Sequence, residues 1–361
     1  MTPSWAVVMG DHMIKLFDIQ GETMKKIVIT GLFFLLALTG NGVAEIPSGT
    51  LTFAITPNVA GTANHLSVWV PYPMSDQFQT ITDMTITGNC KTWAVYRDPG
   101  SEAVYVHARW EAPIEKPLAK MTFHISQKNR RNNSIVYSKK DYPELIKPYL
   151  EATEFIPAKD PAIKKIAKKA VQGKSGTLEK ARAIYDWVIE NTFRDPAVKG
   201  CGLGLPVRTI LQCKGGGKCA DISSVFVTLA RAEGIPARDG YGIRMATPVD
   251  GDVTSAYHCW AEFYLPGTGW VMVDPADVRR LMLVNKVELK DAGVWRKLFW
   301  GGDDLFRAVL EKNARGVVLN GAEKDARLNY FMYPAAQVDG KSLDYFDPET
   351  FKYSVTFAKD K

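Results

Sequence analysis

Cys219 is the residue of this chain whose surroundings best suit a nucleophile. Three glycines and a lysine precede it in 215-GGGKC-219, and a run with the apolar spacing of a helix follows it. Glycines let the backbone turn sharply and let a substrate come close. The positive end of a helix dipole, together with a nearby imidazolium, lowers the pKa of a thiol and favours the reactive thiolate. The alternative is a small buried residue at a helix start, as free cysteine often is.

A histidine and an aspartate follow in two strand-like runs that a short turn connects. His258 lies in the first run, and Asp274 ends the second. The turn 266-PGTG-269 predicts a hairpin in which Asp274 lies opposite a residue near 261. A carboxylate there would hold the imidazole in the tautomer that accepts a thiol proton and later protonates a leaving amine. A histidine in a strand is more often a packed residue, so the catalytic interpretation depends on the combination with Cys219.

The cysteine content indicates at least one free thiol and no structural metal site. The five cysteines are Cys90, Cys201, Cys213, Cys219 and Cys259. An odd number leaves one thiol unpaired within the chain, and we expect this to be Cys219. Cys201 and Cys213 are a conceivable pair, but the sequence does not fix the pairing. Because no Cys-x-x-Cys or His-x-x-x-His pair occurs, we expect no metal and no cofactor.

The patterns along the chain predict β structure first and mixed structure afterwards. Strand-like segments with turn residues between them, typical of a sandwich, occupy 66–73, 81–89, 103–110 and 120–126. Helices are predicted over 161–172, 177–193 and 219–234, and strands over 239–245, 257–265 and 270–275. Beyond Asp277 the patterns predict a helix near 303–313 and strands near 328–334 and 351–357.

The N-terminal region has the composition of a signal peptide. Met24-Lys25-Lys26 is a short positive start, an apolar run of about a dozen residues follows, and small residues end it at Ala44. A bilayer span needs about 20 apolar residues, so we expect cleavage near Ala44 and no stable membrane span in the mature protein. We expect translation to start at Met24 and the mature protein to be periplasmic or secreted.

Composition and charge narrow the class of protein further. With 46% hydrophobic and 23% charged residues, the 361-residue chain has the composition of a folded globular protein rather than a disordered one. Its formal net charge of +6 is small for this length, and no aromatic-plus-basic motif accompanies it. We therefore expect no nucleic-acid partner.

Several sequence blocks, in order, resemble the core of the bacterial transglutaminase-like superfamily. The matching blocks are Cys219 with Asp221, the run 234-GIPAR-238, His258-Trp260-Glu262, Gly269-Trp270 and Asp274-Pro275. The resemblance implies an α+β fold with a papain-like core, in which the helix carrying the cysteine packs on an antiparallel sheet. It also implies that Cys219 is the nucleophile, His258 the base and Asp274 the residue that orients the base.

Joined to the strand and helix patterns, the resemblance predicts a domain organisation. We expect an upstream extension and signal peptide over 1–44 and an all-β, sandwich-like domain over 45–135. The transglutaminase-like catalytic domain follows over 136–285, and a C-terminal extension over 286–361 completes or flanks it.

The predicted function is that of an exported thiol enzyme that attacks an amide or peptide bond and forms a thioester. Hydrolysis of a peptide or protein substrate, such as one of the cell envelope, is favoured over Gln–Lys cross-linking. A non-catalytic envelope scaffold is the alternative from another class. Asp221 is interpreted as a helix cap or a support of the site, and Arg238 and Glu262 as an ion pair. Gln212 is a weaker prediction, as an oxyanion donor.

Overall fold

The computed structural model describes residues 48–59, 63–128, 135–245, 250–302, 307–323 and 327–361. The predicted signal peptide, Met24–Ala44, therefore lies outside the described residues. Within those ranges, no helix has both the length and the apolar character needed to cross a membrane.

Six strands form the first part of the described chain, and they include all four that the sequence predicted there. They are β1 (Gly49–Pro57), β2 (His65–Pro71), β3 (Gln79–Gly88), β4 (Thr92–Arg97), β5 (Val104–Glu111) and β6 (Ala119–Gln127). Alternate residues of β1 are buried, among them Leu51, Phe53 and Ile55. This period of two is what a strand produces when one of its faces covers a core.

The middle of the chain alternates helices and strands. Its elements are α1 (Pro161–Ala170), α2 (Thr177–Asn191), β7 (Phe193–Arg194), β8 (Gly216–Gly217), α3 (Cys219–Ala232), β9 (Ala237–Arg244), β10 (Gly251–Asp252), β11 (Tyr257–Leu265) and β12 (Gly269–Val273). Helix α1 starts where Asp160 accepts hydrogen bonds from the backbone of Ala162 and Ile163, with Pro161 in the first turn. The three predicted helices and three predicted strands of this region are confirmed.

The last part of the chain is mostly β structure. It comprises α4 (Pro275–Asn285), α5 (Gly293–Leu298), β13 (Arg307–Lys312), β14 (Arg315–Val318), β15 (Arg327–Tyr330), β16 (Ala335–Val338), β17 (Lys341–Ser342) and β18 (Phe351–Lys359). The helix predicted near 303–313 is wrong where the structure describes it, since 307–312 is a strand. Residues 307–311 are buried in a sheet beside β9, and this pairing overrides the local helical pattern.

The strands form three main sheets. The first has the order β10-β18-β1-β6-β3, the second β17-β16-β2-β5-β4, and the third β12-β11-β9-β13. Neighbouring strands in all three are antiparallel, so the fold is α+β with antiparallel sheets. Helix α3 packs on the third sheet, with the Phe226 ring 6.2 Å from that of Phe263 on β11. Every residue of α3 from Cys219 to Arg231 is buried, and its buried polar side chains are hydrogen-bonded, among them Asp221, Ser224 and Arg231.

Candidate active site

Cys219 is the first residue of α3, where the predicted turn and helix meet. Lys218 before it is extended, and the Asp221 carboxylate accepts a hydrogen bond from the Lys218 backbone N–H at 3.0 Å. A side chain at Gly217 would bring its Cβ to 2.5 Å from Cβ of Asp221. Glycine at position 217 therefore lets the chain approach the helix this closely. The hydrogen bond from Lys218 to Asp221 fixes the start of the helix, and with it the position of the Cys219 side chain.

The β11–β12 hairpin brings His258 and Asp274 together. Leu265 pairs with Gly269 and Ala261 with Val273, one residue away from the predicted register. Asp274 follows β12 directly, and its Oδ2 lies 2.6 Å from Nε2 of His258. Both side chains are buried. The predicted closeness of the imidazole and the carboxylate is therefore present in the structure.

Asp274 also begins helix α4. Its Oδ1 accepts a hydrogen bond from the Asp277 backbone N–H at 2.8 Å, and Pro275 occupies the first turn. One oxygen thus caps a helix while the other faces the imidazole. Because the cap holds the carboxylate in place, the hydrogen bond to His258 does not depend on a freely rotating side chain.

A second carboxylate and two arginines, which the sequence analysis did not identify, complete this charged cluster. Asp277 Oδ2 lies 3.6 Å from His258 Nε2, and Arg244 is 2.6 Å from the Asp277 carboxylate. Arg307 is 2.8 Å from Asp274 and 3.6 Å from Asp277. Burial would raise the pKa of Asp277, but His258, Arg244 and Arg307 together hold it well below its usual range. Arg244 ends β9, the neighbour of β11, and Arg307 begins β13 on the other side of β9. Sheet pairing brings both arginines to the site, so no local pattern could have indicated them; Asp277 was detectable as an acid in the first turn after the 274-DP-275 helix start.

The electrostatics favour a thiolate beside an imidazolium. For Cys219, burial alone would raise the pKa of the thiol, but hydrogen bonds with Cys201, Cys259 and His258 lower it well below its ordinary value. For His258, burial and Arg244 lower the pKa, and the charges of Asp277 and Asp274 outweigh them to raise it. The thiol therefore loses its proton more easily, and the imidazole keeps its proton longer, than either does in water.

Three thiols converge at the start of α3. The sulfur atoms of Cys201, Cys219 and Cys259 all lie within 4.8 Å of one another, and all three residues are buried. The structure contains all five cysteines as free thiols. Cys201 and Cys213, the conceivable disulfide pair, are not bonded to each other. The Cys201 sulfur lies beside those of Cys219 and Cys259 instead.

A short segment, Cys201–Gly204, lies against the helix start and is held at each end. The Cys201 carbonyl accepts a hydrogen bond from the Ala220 N–H at 2.8 Å, and the Cys201 N–H donates to the Tyr333 hydroxyl at 3.1 Å. The Gly204 N–H donates to the Asp221 carboxylate at 2.8 Å. We call Cys201–Gly204 the covering segment, since it contributes to the burial that leaves Cys219 only 1% exposed.

Two sets of described residues bring potential metal ligands together. The first is the group of three thiols, and the second is His258 with Asp274 and Asp277. The second set is already paired with Arg244 and Arg307, whose positive charges oppose a cation. The first offers three sulfur atoms, one ligand fewer than zinc takes in its structural sites. The prediction that no metal or cofactor takes part stays a prediction.

The predictions for the supporting residues differ in how well the structure agrees with them. Arg238 and Glu262 form the expected ion pair at 2.8 Å, and the Arg238 guanidinium lies 3.9 Å from the Trp270 ring centre. Asp221 caps α3 and also binds the covering segment. Gln212 is exposed on the turn before β8, and no contact of its side chain supports a role in the site.

Comparisons with known proteins place the chain in a family. Residues 164–275 match the model of the transglutaminase-like superfamily, a range that contains Cys219, His258 and Asp274. An uncharacterised protein of Haemophilus influenzae is 33% identical over 325 residues, which cover 83% of this chain and 88% of that protein.

A solved structure shows the same fold. A proposed cysteine protease from Cytophaga hutchinsonii has a TM-score of 0.51 at 17% identity, covering 87% of this chain and 98% of that one. The periplasmic domain of TgpA from Pseudomonas aeruginosa covers 68% of this chain and 94% of its own length, with a TM-score of 0.34 at 14% identity. From the sequence matches and the shared papain-like fold, we conclude that this chain belongs to the transglutaminase-like superfamily.

Proposed function

We propose that this protein is a cysteine-dependent acyl-transfer enzyme that attacks an amide or peptide bond through Cys219, His258 and Asp274. The observation that supports it best is the buried thiol with a lowered pKa beside an imidazole with a raised one. A residue kept only for packing has no need of this pairing. Perturbed acid–base pairs of this kind are concentrated at catalytic sites.

The proposed reaction has two steps. The Cys219 thiolate attacks the carbonyl carbon, and the His258 imidazolium gives its proton to the departing amine, which leaves a thioester. Since Nε2 of His258 faces Asp274, the other ring nitrogen, Nδ1, is the one that serves the thiol. A water molecule, activated by the now neutral imidazole, then hydrolyses the thioester; a primary amine in its place would give transamidation. The backbone N–H of Cys219, at the positive end of α3, is the donor we propose for the developing oxyanion.

We further propose that the enzyme is exported to the periplasm or secreted, and that its substrate is a peptide or protein, such as one of the cell envelope. The support for export is the signal-peptide composition of Met24–Ala44. Hydrolysis is the favoured outcome, and Gln–Lys cross-linking the alternative.

Alkylation of Cys219 by iodoacetamide at pH 7 tests the thiolate–imidazole pair. His258→Ala should slow the alkylation by about tenfold or more, since the imidazolium no longer stabilises the thiolate. His124→Ala is the matched control, because His124 also pairs with an aspartate, Asp360 at 2.9 Å, but at the surface in another sheet. Equal rates in wild type and His258→Ala would rule out the pair.

Incubation with a library of peptide amides distinguishes the two reactions. Free carboxylate products with and without an added primary amine indicate hydrolysis, and conjugates that form only with the amine indicate transamidation. Cys219→Ala should form neither product.

A non-catalytic scaffold is the second candidate, and one observation favours it. Cys219 is almost fully buried beneath the covering segment, as a residue kept for packing would be. If wild type shows no turnover and Cys219→Ala retains full stability and partner binding, the scaffold interpretation replaces the enzyme.

A further inference from the structure

Cys201 is a buried thiol that takes no part in the bond-making steps of the proposed acyl-transfer reaction, although its hydrogen bond helps to lower the pKa of Cys219. Its sulfur lies within 4.8 Å of the Cys219 sulfur, and its backbone carbonyl is hydrogen-bonded to the residue after Cys219 at 2.8 Å. The two cysteines are therefore adjacent both through their side chains and through their backbones. A disulfide needs the sulfur atoms about 2 Å apart, so closing the bond requires a movement of no more than about 3 Å.

The neighbouring Cys259 is a less suitable partner for Cys219. It lies inside β11, which pairs with β9 on one side and β12 on the other, and its thiol faces Met332 Sδ at 3.8 Å. Moving it would disturb a strand in the interior of a sheet. Cys201, in contrast, belongs to the covering segment, which is neither helix nor strand, and a loop residue adapts its backbone at lower cost.

We propose that Cys201 is the resolving cysteine of a reversible disulfide with Cys219, formed by exchange with a small-molecule disulfide such as oxidised glutathione. The Cys219 thiolate attacks one sulfur of the reagent, forming a mixed disulfide and releasing one thiolate that takes up a proton. Cys201 then loses its proton and attacks the Cys219 sulfur, which expels the second small thiol. Two protein thiols are oxidised to one disulfide, and one reagent disulfide is reduced to two thiols.

The bond would have two consequences for the site. It removes the thiolate, and it ties the covering segment to the first residue of α3. The opening that admits a substrate to Cys219 would also admit the small disulfide, so only a protein whose segment has opened would be oxidised. A small reducing thiol would break the disulfide again and restore the Cys219 thiolate. This inference rests on the reactivity proposed for Cys219.

Peptide mapping of the full chain after treatment with oxidised glutathione tests the inference. We expect a Cys201–Cys219 peptide pair, two hydrogen masses lighter than the reduced peptides, and near-complete loss of Cys219 alkylation that dithiothreitol restores. Cys201→Ser should stop at the glutathione adduct of Cys219. Cys213→Ser is the matched control, since Cys213 is not one of the three converging thiols, and it should form the same Cys201–Cys219 bond as wild type.

The outcomes separate this inference from the proposed function. A Cys219–Cys259 bond, or a wild-type protein that stops at the glutathione adduct, would overturn the inference while leaving the nucleophile intact. Slow alkylation of Cys219 in the reduced wild type would instead count against the proposed function. If Cys201→Ser fails to fold by circular dichroism, Cys201→Ala replaces it, since alanine places no hydroxyl among the buried thiols.

Discussion

His258 lies among charges of both signs, and their balance sets its proton affinity. Asp277 and Asp274 favour the imidazolium, while Arg244 and Arg307 oppose it, and burial opposes it most. The arginines also neutralise the two carboxylates, which would otherwise be costly to bury. At this scale, the network around the imidazole keeps its pKa raised without leaving an unpaired carboxylate in the interior.

The pH dependence of alkylation should distinguish Cys219 from Cys90. The Cys219 pKa is lowered, so its thiolate should persist to a lower pH than that of an ordinary thiol and be lost as the pH falls through that lowered value. Burial raises the pKa of Cys90, so Cys90 should react only above about pH 8.5. Mass spectrometry of peptides after timed labelling measures both in one sample, and identical pH profiles would contradict the assignment.

Asp277→Asn should lower the pKa of His258 and destabilise the fold. The variant removes a charge that favours the imidazolium and breaks the ion pair between Arg244 and Asp277. Breaking a buried pair costs about 3–5 kcal/mol. Because the pKa of Asp277 is lowered in the folded state, the loss should be complete at pH 7 and should shrink as the pH falls below about 4.

Urea unfolding at pH 7, with Asp186→Asn as the control, measures this effect. Asp186 pairs with Arg182 at 2.8 Å on the half-exposed face of α2, and such pairs contribute at most about 1 kcal/mol. Equal unfolding free energies for the two variants would show that the buried Asp277 contributes no more to stability than the half-exposed Asp186.

Sequence patterns indicate some of these residues but not others. Cys219 is recognisable because it follows a glycine-rich turn and begins a helix. His258 and Asp274 are recognisable because a short hairpin connects their strands. Arg307 comes from a strand that only tertiary packing places beside β9, and Cys201 approaches Cys219 through a loop without a regular pattern. Such contacts join residues that no short periodicity connects.

At the scale of elements, α3 and its cap position the thiol. The helix is predictable because its apolar run and its end at Gly234 and Pro236 are local signals. Strand β13 is the opposite case: its residues have a helical pattern, yet the open edge of β9 gives them strand partners. Local pattern therefore predicts an element well when its caps are present, and poorly when sheet pairing decides.

Asp221→Ala should destabilise the helix start and release the covering segment. The carboxylate accepts hydrogen bonds from the backbones of Lys218, Leu203 and Gly204, and unsatisfied buried donors cost about 1–3 kcal/mol each. We expect a loss on the order of 2–4 kcal/mol in the free energy of unfolding, together with faster alkylation of Cys219. Asp160→Ala is the control, since its carboxylate caps the start of a different helix, α1, by accepting hydrogen bonds from the Ala162 and Ile163 backbones. Unchanged alkylation would show that the segment does not limit access.

At the scale of the whole molecule, residues from the two ends of the described chain share sheets. Strand β18 pairs with β1 along its full length, and β16 pairs with β2, while β13 joins the sheet of His258. The sequence predicted strands near 328–334 and 351–357 but not their partners, because pairing over hundreds of residues leaves no local trace. The division into modules at 45–135, 136–285 and 286–361 stays a prediction, and the residues after 286 contribute to all three sheets.

Strand β18 also connects the first sheet to β11, the strand that carries His258. The Val355 carbonyl accepts a hydrogen bond from the Val253 N–H at 2.8 Å, and the Val355 N–H donates to the Thr254 hydroxyl at 2.8 Å. Val253 and Thr254 lead directly into β11 and His258. The order of the histidine is thus coupled to a sheet built largely from the N-terminal strands.

Removing residues 351–361 should therefore cost most of the stability of the protein and slow Cys219 alkylation as well. Phe351, Val355 and Phe357 are almost fully buried, and burying such side chains contributes about 1.5–3 kcal/mol each, a total comparable with the stability of a whole domain. Removing only Asp360 and Lys361 is the control, since it breaks the surface pair with His124 and the hydrogen bond from the Asp360 N–H to the Ser48 carbonyl but leaves β18 in place. Urea midpoints and alkylation rates of the two truncations measure the difference; equal midpoints would mean that β18 is dispensable and that β11 holds His258 without it.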